Sequence, residues 1–242
     1  MASLIISNAK LYFAGYDMSG DINALALKYM AELKESTTLI DTTRTRRPGL
    51  KDIGFQHEGF WNGGTGNIDD ILFQNIGANN VPMTIAPLTG AEGELAYSFQ
   101  AEEAAYSPGA KIGDMLAFSV SGADGAGPLV RGTLLVNGAK VASGNGTVFN
   151  VGAVSAAQKL YAALHVLAIT SGGGPSLACK IQSAPTAGFA APTDRLVFNA
   201  MTAAGAQWGA PIAGPITDAY WRVVFTLTNI TSVTFLVNMG IL

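Results

Sequence analysis

The stretches "YWRVVFTLT" (220–228) and "VTFLVNMGI" (233–241) decide the fold class. In the first, Trp221, Val223, Phe225 and Leu227 alternate with other residues. In the second, Val233, Phe235, Val237, Met239 and Ile241 do the same. A period of two puts each set on one face of a pleated strand, so both segments read as strands with one buried face. The pattern recurs upstream. "LAYSFQA" aligns Leu95, Tyr97 and Phe99, and "MLAFSVSG" aligns Leu116, Phe118 and Val120. Between the runs lie "NGGTGN", "SGADGAGP", "SGNG" and "TSGGGPS", whose Gly, Asn, Ser and Pro are turn formers. The chain reads as mainly β.

One segment breaks the pattern. In "GNIDDILFQNIG", Ile68, Ile71, Leu72 and Ile76 follow a helical spacing. Asn67 suits the N-cap, Asp69 and Asp70 suit the positive first turn, and Gly77 suits the residue after the C-cap. "AAQKLYAALHVLAI" fits a helix by propensity and a strand by its neighbours. It is read as a strand, because "GPSLACKIQS" follows through a Gly-rich link of hairpin type.

Bulk properties narrow the classes. The chain has 242 residues, enough for one large or two small domains with a real core. It is 49% hydrophobic and only 13% charged. Soluble enzymes carry about twice that charged fraction, so a surface this poor in charge points to assembly. The net charge of −3 argues against a nucleic-acid binder. Charge is uneven: residues 1–131 hold 9 Lys/Arg against 15 Asp/Glu, net −6, and residues 132–242 hold 5 against 2, net +3. With the Gly-rich stretch near 122–146, this places a domain boundary at about 131/132. The lone cysteine, Cys179, shares a face with Leu177 and Ile181 and reads as a core thiol. No apolar run reaches the length of a membrane helix. "MASLIISNAKLYF" lacks a basic n-region, so no signal peptide and a cytoplasmic site of synthesis are expected.

Residues for chemistry are sparse. The two histidines, His57 and His165, have no second His or Cys at metal-ligand spacing. Paired carboxylates occur at Asp69/Asp70, Glu92/Glu94 and Glu102/Glu103, and each reads as a solvated face. Asp124, Asp194 and Asp218 lie outside any EF-hand loop. No serine sits in a G-x-S-x-G elbow, and "GADGAGPL" lacks the spacing of a phosphate loop. No catalytic residue, cofactor or metal is expected. Trp208, Tyr220 and Trp221 could form a sugar platform. Trp221 is in phase with the core, which leaves Trp208 and Tyr220 as glycan candidates.

The densest basic cluster lies in "IDTTRTRRPGLKDIGFQHEGFW" (40–61), where Arg44, Arg46, Arg47 and Lys51 fall within eight positions. Both flanks read as strands, so about 35–50 becomes a long hairpin extension. Residues 52–125 hold ten Asp/Glu against Lys111 alone. A basic arm on an acidic body is complementary between copies, and Arg adds bidentate register to the attraction. Head-to-tail contacts of this kind build rings and open stacks.

Residues 12–131 resemble the tail tube proteins of long-tailed bacteriophages. The resemblance is carried by "YDMSGDINALALKYMAELKESTTLIDTTRTRRPGLKDIGFQHEGFW", then "NIDDILFQNIG", "VPMTIAP" and "GAEGELAYSFQAEEAAYSPGAKIGDMLAFSVSG" in the same order. It implies a β-sandwich or split barrel with one flanking helix, six copies joined in a ring, and a long loop reaching the next ring. Thr42, Arg44, Arg46, Arg47 and Lys51 would then lie on the stacking loop. Glu92, Glu94, Glu102, Glu103 and Asp114 become candidates for an acidic lumen or partner patch, past which DNA slides without specific binding. Residues 132–242 resemble β-sandwich modules appended to phage virion proteins. The implied partners are further copies of the chain and other tail proteins, without a membrane. The implied place is the virion tail, assembled in the host cytoplasm. The other readings are a capsid decoration or auxiliary virion protein, and a carbohydrate-binding module or glycosidase using Trp208 and Tyr220 with acidic pairs.

Overall fold

The computed structural model describes residues 8–242. The first seven positions of the stretch read as lacking a signal peptide lie outside the described residues. The described fold is mainly β. In chain order the strands are β1 (Lys10–Phe13), β2 (Tyr16–Asp17), β3 (Ile22–Glu35), β4 (Arg46–Phe60), β5 (Val81–Ala86), β6 (Leu95–Gly109), β7 (Ala117–Asp124), β8 (Val130–Lys140), β9 (Gly144–Asn145), β10 (Phe149–Asn150), β11 (Lys159–Ala184), β12 (Thr193–Val197), β13 (Gly205–Trp208), β14 (Ile212–Ala213) and β15 (Tyr220–Ile241). One α-helix among the described residues, α1 (Ile68–Asn75), lies between β4 and β5.

The chain forms two compact units that interleave along the sequence. The larger holds the described residues up to Gly20, Val81–Gln100 and Val130–Leu242, and the smaller holds Asp21–Asn80 and Ala101–Leu129. These are not the halves 1–131 and 132–242 read from charge. Only the crossing after Leu129 falls near that cut. Charge follows sequence, whereas compactness follows strand pairing, and β6 supplies residues to both units.

In the larger unit the strand order is β12-β11-β15-β8-β6-β5-β1-β2. Its spine is the antiparallel β11–β15 ladder, running from Leu160↔Ile241 to Ala184↔Tyr220. The alternating set of β15 does enter the core: Trp221, Val223, Val233, Phe235, Val237 and Met239 are buried with Leu164, Leu177, Cys179 and Ile181. The opposite face is covered at one end, where Leu236 packs with Tyr12, Ala86, Ala96 and Leu134. Leu236 therefore escapes a period-two reading.

"AAQKLYAALHVLAI" is strand, as expected, but the Gly-rich link after it is no hairpin. β11 continues through it, and both flanks pair with β15. Ser171 faces Ile230 and Ser176 faces Thr228, so the intervening four residues bulge opposite Asn229. Gly173 and Gly174 adopt positive φ there, which relieves the bulge without breaking the ladder.

The smaller unit is an antiparallel sheet in the order β3-β4-β7-β6, with α1 in the same unit. The helix forms where the spacing places it. Ile68 and Leu72 are buried, Asn67 stands extended at the N-cap, and Gly77 takes φ +74° after the last turn. Asn67 makes no side-chain cap bond; its amide donates to Gly63 O at 2.6 Å. On β4, Ile53, Phe55 and His57 alternate inward, and His57 faces Val120 of β7 and meets the Phe118 ring edge-on.

Candidate assembly surface

The basic cluster sits on a projecting ribbon. The β3–β4 ladder runs from Ile22↔Gly59 out to Glu35↔Arg46. β7 joins β4 only from Gly54 onward. Beyond that point β3 and β4 form a two-stranded arm about 26 Å long, from the strand rise. Residues 28–52 are exposed throughout, except half-buried Ser36. The turn is shorter than the expected 35–50: it spans 36–45. Arg46, Arg47 and Lys51 belong to β4, while Thr42 and Arg44 stay in the turn.

Local chemistry orders the tip. Thr38 N–H and Oγ1 donate to Asp41 at 2.7 and 3.0 Å, Asp41 N–H returns to Thr38 O, and Thr45 N–H donates to Thr37 Oγ1. This is the local side-chain bonding that favours turns. Lys51 Nζ lies 5.7 Å from the Tyr29 ring centre. Among the described residues no salt bridge involves Arg44, Arg46, Arg47 or Lys51. The same arm exposes Leu33, Leu39, Ile40 and Leu50, with Leu39 fully exposed and Leu50 at 83%.

The candidate carboxylates are scattered. Glu92 accepts from Lys140 Nζ at 3.1 Å and Thr147 Oγ1 at 3.0 Å. Glu94 closes a turn by accepting from Thr89 N–H, Thr89 Oγ1 and Ala91 N–H. Slight burial raises its pKa, but the Thr89 hydroxyl and the backbone donors outweigh that and hold it below the usual value. Glu102 is half-buried and Asp114 is exposed at the β6–β7 turn. Glu103 departs from the solvated-face reading: its side chain is fully buried, 3.6 Å from His57 Nε2. β6 at that point faces β7 and the interior, so alternate residues turn inward whatever their charge. That spacing is too long for a hydrogen bond. Burial raises the Glu103 pKa, and His57 offsets part of the rise.

A buried polar chain in the larger unit has no counterpart in the sequence reading. Thr84 Oγ1 lies 3.0 Å from His165 Nε2 and 2.8 Å from Ser98 Oγ, and Asn238 Nδ2 donates to Ser98 Oγ at 2.7 Å. His165 Nδ1 and Asn238 Oδ1 have no protein partner. Burial lowers the His165 pKa to about 3, so the ring is neutral. Asn238, polar inside the apolar run 235–239, was the one signal that could have revealed this chain.

The glycan candidates occupy separate places. Trp208 of β13 faces Ala163 and tilts against Tyr161, with ring centres 6.3 Å apart. Tyr220 of β15 faces Ala184 and Asn150. Trp221 is core, and its Nε1 donates to Gly152 O at 2.8 Å. Asp124 accepts from Ile53 N–H, Asp194 from Lys180 and Gln182, and Asp218 from Ser183 and Arg195. Among the described residues no three His, Cys, Asp or Glu side chains cluster as metal ligands. Cys179 is buried, and burial pushes its thiol up to about 12. No described helix is long and apolar enough to cross a membrane.

No protein-family model and no curated protein matches the chain. Solved structures do. A chain from the virion of a native gene transfer agent particle is 12% identical, with a TM-score of 0.37, covering 46% of this chain and 84% of the other. A chain from the tail of an empty gene transfer agent particle, refined with C6 symmetry, has the same identity and score and is covered to 81%. The Dit protein of phage SPP1, described as a hub adsorption apparatus protein, is 10% identical, with a TM-score of 0.40, covering 98% of this chain and all of the other.

Proposed function

We propose that this chain is a structural virion protein, a tail tube subunit whose copies join into rings and whose rings stack around a channel for DNA. The observation that carries the reading is the arm. A two-stranded hairpin is marginal by itself in water. This one is exposed on both faces and displays six cations with six large hydrophobic side chains, Tyr29, Met30, Leu33, Leu39, Ile40 and Leu50. Such a ribbon gains its stability when a partner covers it. The outer strand supports the same reading. β3 pairs with β4 alone among the described strands, which leaves its other edge unpaired. An unpaired edge is a liability in a free monomer and a joining surface in an assembly.

The ring is read as hexameric from the sequence resemblance. The partners are further copies and other tail proteins, with DNA passing through unspecifically. The place is the virion tail, after assembly in the host cytoplasm. Electron microscopy of the purified chain tests this. Rings or tubes are the expected result. A population that stays monomeric at every concentration, and coats capsids when they are offered, would overturn the tube reading in favour of a decoration protein.

A further inference from the structure

The arm leaves the smaller unit at one end of its sheet. β4 and β7 are antiparallel, with Gly54↔Ala123 at the arm end and Phe60↔Ala117 at the other. The β6–β7 turn, 110–116, therefore projects from the end opposite the arm. There Ile112 is fully exposed, Met115 is 71% exposed, and Leu116, Phe60 and Trp61 are also exposed. Trp61 N–H donates to Leu116 O at 2.9 Å, which ties the two segments into one surface. The presentation is built in. Asp114 N–H bonds Lys111 O at 3.0 Å, and Gly113 has φ +98°. A turn with positive φ at its third residue holds Ile112 at the corner.

This end is also anionic. Glu58 and Asp114 are exposed beside it, and Asp69 and Asp70 open α1, where Asp69 N–H bonds Asn62 O at 3.3 Å. Lys111 is the cation there. The arm is net positive: over 28–52 Lys28, Lys34, Arg44, Arg46, Arg47 and Lys51 stand against Glu32, Glu35, Asp41 and Asp52, and no carboxylate falls from 44 to 51. Each end is apolar at its centre, and the two carry opposite charge.

We infer that the Phe60–Trp61–Ile112–Met115–Leu116 surface receives the arm of a second copy of this chain. The inference rests on the tube reading and names the acceptor within it. A copy shifted along the strand direction brings its arm to this surface without a reversing rotation. That contact is head-to-tail, so it does not close on itself and it propagates. Leu39, Ile40 and Leu50 meet the apolar centre. The arginines meet Asp114, Glu58 and the carboxylates of α1, which set register and orientation.

The test uses the full chain and separates the two levels. If the wild-type protein forms no stacks, the tube reading and this acceptor fail together. If it stacks, Ile112→Asp with Met115→Asp is expected to cut stacked mass at least tenfold while single rings persist. Stacks of wild-type length would overturn the acceptor and leave the tube reading intact. A second measurement stands apart from the folding of that variant. Ile40→Cys with Ile112→Cys should cross-link on mild oxidation into a ladder beyond the dimer, since Cys179 is buried. Each single variant should stop at dimers. Stacks of the double variant that give no ladder would also overturn the acceptor.

Discussion

His57 Nε2 stands 3.6 Å from Glu103 Oε1, and both side chains are wholly shielded from solvent. Neither makes a hydrogen bond through its ring nitrogens or carboxyl oxygens. Phe55 stacks on the imidazole at 6.3 Å and Phe118 meets its edge at 6.0 Å. An ionisable pair in such surroundings carries a desolvation cost that its mutual attraction does not clearly repay.

The pair should therefore behave as a unit. His57→Leu alone removes the ionisable partner of a buried carboxyl and is expected to cost about 3 kcal/mol. His57→Leu with Glu103→Met fills the site with apolar groups and should cost less than His57→Leu alone. Denaturant titration of the four species checks this, and additive costs would contradict it.

The same carboxyl gives stability a pH dependence of known sign. Burial raises the Glu103 pKa, so the folded chain keeps its proton where the unfolded chain has lost it. That contribution is full below about pH 4.3, the unfolded value, and is lost as pH rises through the folded one. Glu103→Gln should abolish this part of the slope in a denaturation series across the range.

His165 acts in the opposite direction. Its folded pKa is lowered to about 3, so below the unfolded value the unfolded state binds the extra proton. Stability contributed by the neutral ring is intact above about pH 6.5 and falls as pH drops, at up to about 1.4 kcal/mol per pH unit. His165→Gln should flatten the slope between about pH 6.5 and 5. An unchanged slope would contradict the buried neutral assignment.

Gly15 is irreplaceable on backbone grounds. It has φ +85°, and a Cβ there would stand 2.4 Å from the backbone of Gly205. Gly15→Ala should cost roughly 2 kcal/mol or more, from strain and displaced backbone together. Thermal unfolding checks it, and a loss of a few tenths would contradict it.

Much of the fold was legible because one rule governs it. Trp221, Val223, Phe225, Val233 and Phe235 point one way in a strand whatever their partners are, and they are buried together. The helix was legible because Ile68 and Leu72 share a face and Gly77 follows it. Strand continuity was not: Gly173 and Gly174 serve a bulge as readily as a hairpin, and only the register with β15 distinguishes them. The arm's cations were visible as a cluster. That Arg46, Arg47 and Lys51 sit on a strand depends on the Glu35↔Arg46 pairing, which is not encoded locally. Glu103 looked solvated because adjacent carboxylates usually are, and its burial depends on what β7 and β4 bring over it. Likewise Thr84, Ser98, His165 and Asn238 come from four strands and meet only in the folded chain.

The central claim is that the cationic arm joins copies end to end. Length distributions from electron microscopy of wild-type protein and of Arg46→Glu with Arg47→Glu test it most directly. Both side chains are exposed, so the variant should fold normally. The account predicts long tubes for the wild type and isolated rings for the variant. Tubes of equal length in both would contradict it.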